Sequence, residues 1–172
     1  RFIIYKGIYD LPWIKPFARI LRVIPISAEL RPRAMLQALR TASEAIQNGE
    51  VVCVFAEGQI TRIGHMLPFR RGYERIMQNV QAPIIPVALD GVWGSIFSFE
   101  RGRFLWKMPR RLPYRVTLNF GEPLSPTATP LEVRQRVQEL MVEAWEHRKA
   151  HMRPLHRAWL HTAGRHPFRV AM

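Results

Sequence analysis

Val51-Val-Cys-Val-Phe-Ala-Glu-Gly-Gln-Ile-Thr-Arg62 is the stretch from which the fold is read. Val51 to Ala56 is a continuous apolar run, too short for a helix and typical of a strand covered on both faces. It runs directly into Glu57-Gly58. A carboxylate and a turn are therefore predicted at the carboxyl end of a buried strand, where open α/β sheets hold their ligands. Thr61 and Arg62 follow, and Pro68-Phe-Arg-Arg-Gly72 adds two guanidinium groups just ahead of a helix predicted from Arg71 to Asn79. Arg62, Arg70 and Arg71 form a candidate phosphate site, because guanidinium forks and a helix N-terminus both favour that anion. The plain alternative is a strand-end turn beside solvated arginines.

Outward from this stretch the pattern alternates strand and helix. Arg1 to Tyr5 reads as a strand, Trp13 to Leu21 as a helix behind Pro12, and Ile24 to Ile26 as a short strand. From Pro32 to Gln47, Ala34, Met35, Ala38, Leu39, Ala42 and Ile46 recur at helical spacing, and Asn48-Gly49 supplies a left-handed stop. Pro83 to Leu89 is a second buried strand before a turn at Asp90-Gly91, so it and Val51 to Ala56 suggest a parallel α/β unit. Tyr114 to Phe120 alternates like a strand. A long helix begins at Thr129-Pro130, with Glu132 in its first turn, and is predicted to reach about His147. The fold class is α/β: a mostly parallel central sheet flanked by helices.

The 172 residues suit one domain with a real core. Hydrophobic residues make up 48% and charged residues 23%, which excludes a disordered chain. One cysteine, Cys53, excludes a disulfide framework, and its place mid-run marks it as inert core. The apolar runs fall well short of the roughly 18 to 20 residues of a membrane-spanning helix. The net charge of +13 calls for an anionic partner: nucleic acid, a membrane face or a small substrate.

The motifs resemble those of the glycerolipid acyltransferases of the lysophosphatidic-acid type. Phe55-Ala-Glu-Gly-Gln-Ile-Thr-Arg62 is similar to the family's Phe-Pro-Glu-Gly block, Phe69-Arg-Arg-Gly72 to its Phe-Lys-x-Gly block, and Pro83-Ile-Ile-Pro-Val87 to its Pro-Ile-Val-Pro-Val block. Lys6, Pro12 and Val23-Ile-Pro-Ile26 resemble the segment after the family's first motif. The blocks keep their order and spacing over about residues 1 to 125. The likeness is nearest to the acyltransferase domain of bacterial enzymes that join 2-acylglycerophosphoethanolamine acyltransferase to an acyl-carrier-protein synthetase. The tail from Leu155 to Met172 looks like the opening helix of the adenylate-forming ligase there.

That resemblance implies transfer of a fatty acyl group from a thioester of acyl carrier protein or coenzyme A to the free hydroxyl of a lysophospholipid. It implies no metal or other cofactor, and a peripheral place on the cytoplasmic face of a bacterial inner membrane. Substrate contacts would come from Lys6, Glu57, Gly58, Thr61, Arg62, Arg70, Arg71 and Gly72. Family members take the hydroxyl proton with His-x4-Asp, and none of the six histidines here has Asp at that spacing. Since the match begins just downstream of that motif, the chain is expected to be a fragment, cut at both ends and inactive alone. Two further departures are Ala28 and Ile60, where the family carries arginine. Arg62 is a substitute for the second, and both changes fit an acceptor whose phosphate is already esterified.

The expected organisation is an acyltransferase domain over 1–146 and a basic linker over 147–172, where six Lys or Arg and five His meet no carboxylate. His65 lies beside the motif without an orienting carboxylate in sequence and is given no role. From Trp93 to Arg111, aromatics (Phe97, Phe99, Phe104, Trp106) interleave with cations (Arg101, Arg103, Lys107, Arg110). A membrane contact, stacking on single-stranded nucleic acid, or a packed loop all fit; no nucleic-acid module signature accompanies it. The alternative function is a non-catalytic basic module that binds an anionic membrane or nucleic acid.

Overall fold

The computed structural model describes residues 1–27, 32–104, 114–150 and 154–165. The β-branched start of the chain forms β1 (Ile3–Tyr5), which pairs in parallel with β2 (Ile24–Ile26), Ile3 opposite Ile24 and Tyr5 opposite Ile26. The crossover between them holds α1 (Lys6–Tyr9) and α2 (Lys15–Ile20), the latter with proline in its first turn. Phe2 bridges Cys53 in the parallel sense. The Ile3 N–H donates to the Cys53 carbonyl at 3.0 Å, and the Cys53 N–H to the Arg1 carbonyl at 2.7 Å. Val51 to Ala56 therefore lies beside β1 as an extended segment joined at one bridge. It is covered on one face rather than two: Val52 and Val54 pack on the core while Val51 and Phe55 are exposed.

The helix predicted from its apolar spacing is present as α3 (Pro32–Gln47), and Gly49 closes it at φ +79°. Its buried face, Leu39, Ala42 and Ala45, lies on β2 and on α4 (Gly72–Met77). Ile3, Ile24, Leu39, Ala42 and Ile76 form the first core cluster.

The expected single, mostly parallel central sheet is corrected: the strands among the described residues form two separate two-stranded sheets. β3 (Val87–Asp90) pairs antiparallel with β4 (Thr117–Phe120), Val87 opposite Phe120 and Leu89 opposite Leu118. No pairing joins it to Val51–Ala56 among the described residues. The α/β class holds, with parallel pairing confined to β1, β2 and the segment beside β1. Asp90 is the last residue of β3, and Gly91 makes the turn at φ +86°. Only one face of β3 is buried: Pro86 and Ala88 point inward, while Ile85, Val87 and Leu89 are exposed.

The covering helix is α5 (Pro130–Ala150). Its start is a capping box, with the Thr129 N–H donating to Glu132 Oε2 at 2.6 Å and the Glu132 N–H to Thr129 Oγ1 at 3.3 Å. Val133, Val137, Leu140 and Ala144 recur every three to four residues and bury against β3 and β4. α5 continues unbroken through His147, and α6 (Leu155–Arg165) follows, its described side chains exposed. No helix among the described residues is long and apolar enough to cross a membrane.

Tyr73 ties α4 to the approach to α5, its hydroxyl donating to the Ala128 carbonyl at 2.9 Å. Burial above all, with Glu74 and Glu132 nearby, pushes its ionisation up to about 12 from 10.0. A neutral tyrosine is therefore favoured by folding: the stabilisation is whole below about pH 10 and is lost as pH rises toward 12. Denaturant midpoints of the wild type should fall more steeply across that window than those of Tyr73→Phe. At neutral pH the variant should be less stable by about 1 kcal/mol through loss of the hydrogen bond.

Candidate active site

β1, β2 and Val51–Ala56 run parallel, so Lys6, Ser27 and Glu57 all leave the sheet at its carboxyl edge. The loop that starts at Glu57 is held at both ends. The Gly58 N–H donates to the Phe55 carbonyl at 2.9 Å, closing a turn, and the Arg70 N–H donates to the Ala56 carbonyl at 2.8 Å, returning the chain to its origin. Inside the loop Glu57 Oε2 accepts the Leu67 N–H at 2.8 Å, so this carboxylate shapes the loop from within. Met66 and Phe69 pack on the second core cluster, around Ala88, Val137 and Leu140. Arg134 of α5 donates from Nε to the Leu67 carbonyl at 3.4 Å.

Gly58 has φ +67°, and a Cβ there would lie 2.7 Å from Arg70 Cδ and 2.9 Å from its Nε. The Arg70 side chain thus lies across the backbone of the Glu57-Gly58 turn, and the structure brings these two candidates together. Arg62 is turned toward Phe99, its guanidinium carbon 5.5 Å from the ring centroid, and Phe99 stacks on Phe104 at 5.4 Å. Thr61 Oγ1 accepts the Ile63 N–H at 3.3 Å, a local turn contact. Arg71 is exposed and precedes α4 without a side-chain cap, and Gly72 opens that helix with open space where a Cβ would be.

Lys6 stands apart. It pairs with Asp10 at 3.0 Å and lines a cavity of about 550 Å³ together with Arg1, Arg19 and Arg22; none of the other candidates lines that cavity. His65 is exposed and meets no carboxylate among the described residues. Burial raises the Cys53 thiol above its ordinary value, which keeps it protonated. Ala28 and residues 105–113, including Trp106, Lys107, Arg110 and Arg111, lie outside the described residues.

Three positioning residues were not legible in sequence. Trp93 lies against the Gly64 backbone, where a Cβ would be 2.9 Å from its ring; Phe99 underlies Arg62; and Arg134 reaches Leu67. Each lies 29 to 67 residues from its partner, beyond any local pattern. The aromatic-cation interleaving was the one signal, and it left a membrane contact, nucleic-acid stacking and a packed loop open; the contact of Phe99 with Arg62 is one within the chain.

The chain belongs to the glycerolipid acyltransferases: the family model described as Acyltransferase matches residues 1–90, just over half of it. It is 27% identical over 119 residues to the 1-acyl-sn-glycerol-3-phosphate acyltransferase of Bacillus subtilis, covering 69% of this chain and 51% of that protein. It is 29% identical over 91 residues to a chloroplastic 1-acyl-sn-glycerol-3-phosphate acyltransferase of Brassica napus, 53% of this chain and 26% of that one. The chain thus spans about half the length of the first of these relatives and about a quarter of the second. The crystal structure of the 1-acyl-sn-glycerophosphate acyltransferase PlsC from Thermotoga maritima superposes with a TM-score of 0.57 at 24% identity, over 89% of this chain and 58% of that one, a likeness of fold.

The two glycines of the loop should separate in stability measurements. Gly58→Ala forces a side chain onto positive φ and displaces Arg70, for an expected loss of about 1–2 kcal/mol in chemical denaturation. Gly72→Ala meets nothing, and its effect should stay within about 0.5 kcal/mol.

Proposed function

We propose that this chain supplies the acceptor-binding side of an enzyme that passes a fatty acyl group from an acyl carrier protein or coenzyme A thioester to the free hydroxyl of a lysophospholipid. The observation that carries it is the Glu57-Gly58 turn at the carboxyl edge of parallel strands, with the Arg70 side chain laid across it. Membership of the acyltransferase family supports the reaction class. The acceptor's oxygen attacks the thioester carbonyl, the C–S bond breaks, and the proton lost by the hydroxyl passes through a base to the departing thiolate.

In this reading Glu57 holds the loop in shape, Gly58 lets the backbone approach the acceptor, and Arg62, Arg70 and Arg71 neutralise its phosphate. Thr61 and Gly72 complete the acceptor side, Lys6 standing apart in its own cavity, and the chemistry draws on no metal or redox cofactor. The proton-accepting base is, in this reading, not a His-x4-Asp pair of these 172 residues, where no histidine has Asp five positions on. Alanine at position 28 and isoleucine at 60, where the family carries arginine, favour a lysophospholipid with an esterified phosphate. The enzyme works at the cytoplasmic face of the bacterial inner membrane in phospholipid synthesis or remodelling.

Calorimetric titration of lysophospholipid below its micelle concentration tests the arginines. Arg62→Ala and Arg70→Ala should each weaken acceptor binding about 10- to 100-fold, the range for a lost charge-assisted hydrogen bond, and leave thioester binding unchanged. Unaltered acceptor binding in both variants would reject the assignment. The 172-residue chain alone should show no turnover.

A further inference from the structure

α2 and its flanks present to water a surface that soluble proteins ordinarily bury. Trp13, Phe17, Ile20 and Leu21 are 55, 66, 78 and 56% exposed. Their helical spacing places them on one face. The neighbouring face, with Ala18 buried and Ile14 half-buried, holds the helix to the body. The remaining face carries Lys15 and Arg19, Arg22 follows just beyond the helix at φ +50°, and no Asp or Glu occurs between Leu11 and Ser27.

Those cations are weakly answered from within the chain. Arg22 reaches Glu50 only at 3.9 Å, while Glu50 bonds Arg1 at 2.6 Å. Lys15 and Arg19 have no ion pair among the described residues. Arg19 and Arg22 instead line the cavity that Lys6 shares, beside the apolar walls of Ala18, Val23 and Ile24.

An exposed apolar face would serve any hydrophobic partner. The charge selects among them: a cationic face behind an apolar one, with tryptophan at the end, matches the headgroup boundary of a bilayer. At that depth apolar side chains enter the acyl layer while lysine and arginine reach the phosphates.

We propose that the Trp13–Arg22 segment is the surface by which this chain docks on an anionic phospholipid bilayer, with Trp13, Phe17, Ile20 and Leu21 in the acyl boundary and Lys15, Arg19 and Arg22 on lipid phosphates. The proposal rests on the acyl-transfer reading only in making the bilayer the source of substrate; docking itself needs no turnover.

The test is co-sedimentation of the 172-residue chain with vesicles of phosphatidylcholine alone and of phosphatidylcholine mixed with phosphatidylglycerol, folding of every variant being checked by circular dichroism. The wild type should bind the mixed vesicles more tightly. Phe17→Glu with Ile20→Glu should lower partitioning about tenfold or more. Lys15→Gln and Arg19→Gln should each lower it about fivefold, on the anionic vesicles only. Phe120→Glu, on the exposed face of β4, should bind as the wild type does.

Three results would overturn the proposal: no wild-type binding, equal binding by the Phe17→Glu, Ile20→Glu variant, or sedimentation velocity showing that this variant dissociates a lipid-free dimer, which would make the face a contact between copies. Calorimetry with monomeric lysophospholipid reports separately on the acceptor site. The α2 variants should leave it unchanged, so either idea can fail without the other.

Discussion

The hydrogen bond from the Arg70 N–H to the Ala56 carbonyl at 2.8 Å is the constraint on which the site depends. Ala56 ends the extended segment beside β1, and Arg70 is two residues from the start of α4, so this bond makes the intervening residues a closed loop. Met66 and Phe69, within the loop, belong to the core under α5, while Ile76 of α4 belongs to the core under α3. The loop is therefore the strap between two small apolar clusters as well as the carrier of the candidate arginines. A backbone pinned to two cores loses little entropy on binding a ligand, which is the usual advantage of placing a site on a rigid frame.

Charge is distributed to the same end. Glu57 is held by the Leu67 N–H within the loop, Glu132 by Thr129 in the α5 cap, and Glu139 by Arg136 on one helix face. The hydrogen bond from Arg1 holds the Glu50 carboxyl below its usual range, and the Thr129 N–H does the same for Glu132. With 13 carboxylates against 26 basic side chains, many cations remain for anions from outside. The exposed guanidinium groups at Arg62, Arg70 and Arg71, and the cations behind α2, are two separate outlets for that excess.

How far the sequence could be read follows from the range of the interactions involved. α3 and α5 were legible because their periodicity and end signals are local: Leu39, Ala42, Val133 and Leu140 lie at helical spacing, with Gly49 and Thr129 at the ends. The apolar runs Val51–Ala56 and Pro83–Leu89 were legible as extended chain but not as one-sided. Both were expected to be covered on two faces, and Phe55, Val87 and Leu89 are exposed. An apolar side chain records what it tolerates, not what covers it. Strand partners were likewise undecided: nothing in Val87–Asp90 specifies an antiparallel neighbour 30 residues away at Thr117–Phe120.

The Glu57-Gly58 turn, the arginines behind it and the family to which they belong were determined by the residues alone, because motif chemistry and spacing survive without coordinates. The tertiary structure decided which of those groups meet. It laid Arg70 over Gly58, turned Arg62 to Phe99, placed Lys6 in a separate cavity, and left one face of α2 bare. These outcomes depend on contacts between residues far apart in the chain, whose geometry is set only when both apolar clusters pack at once.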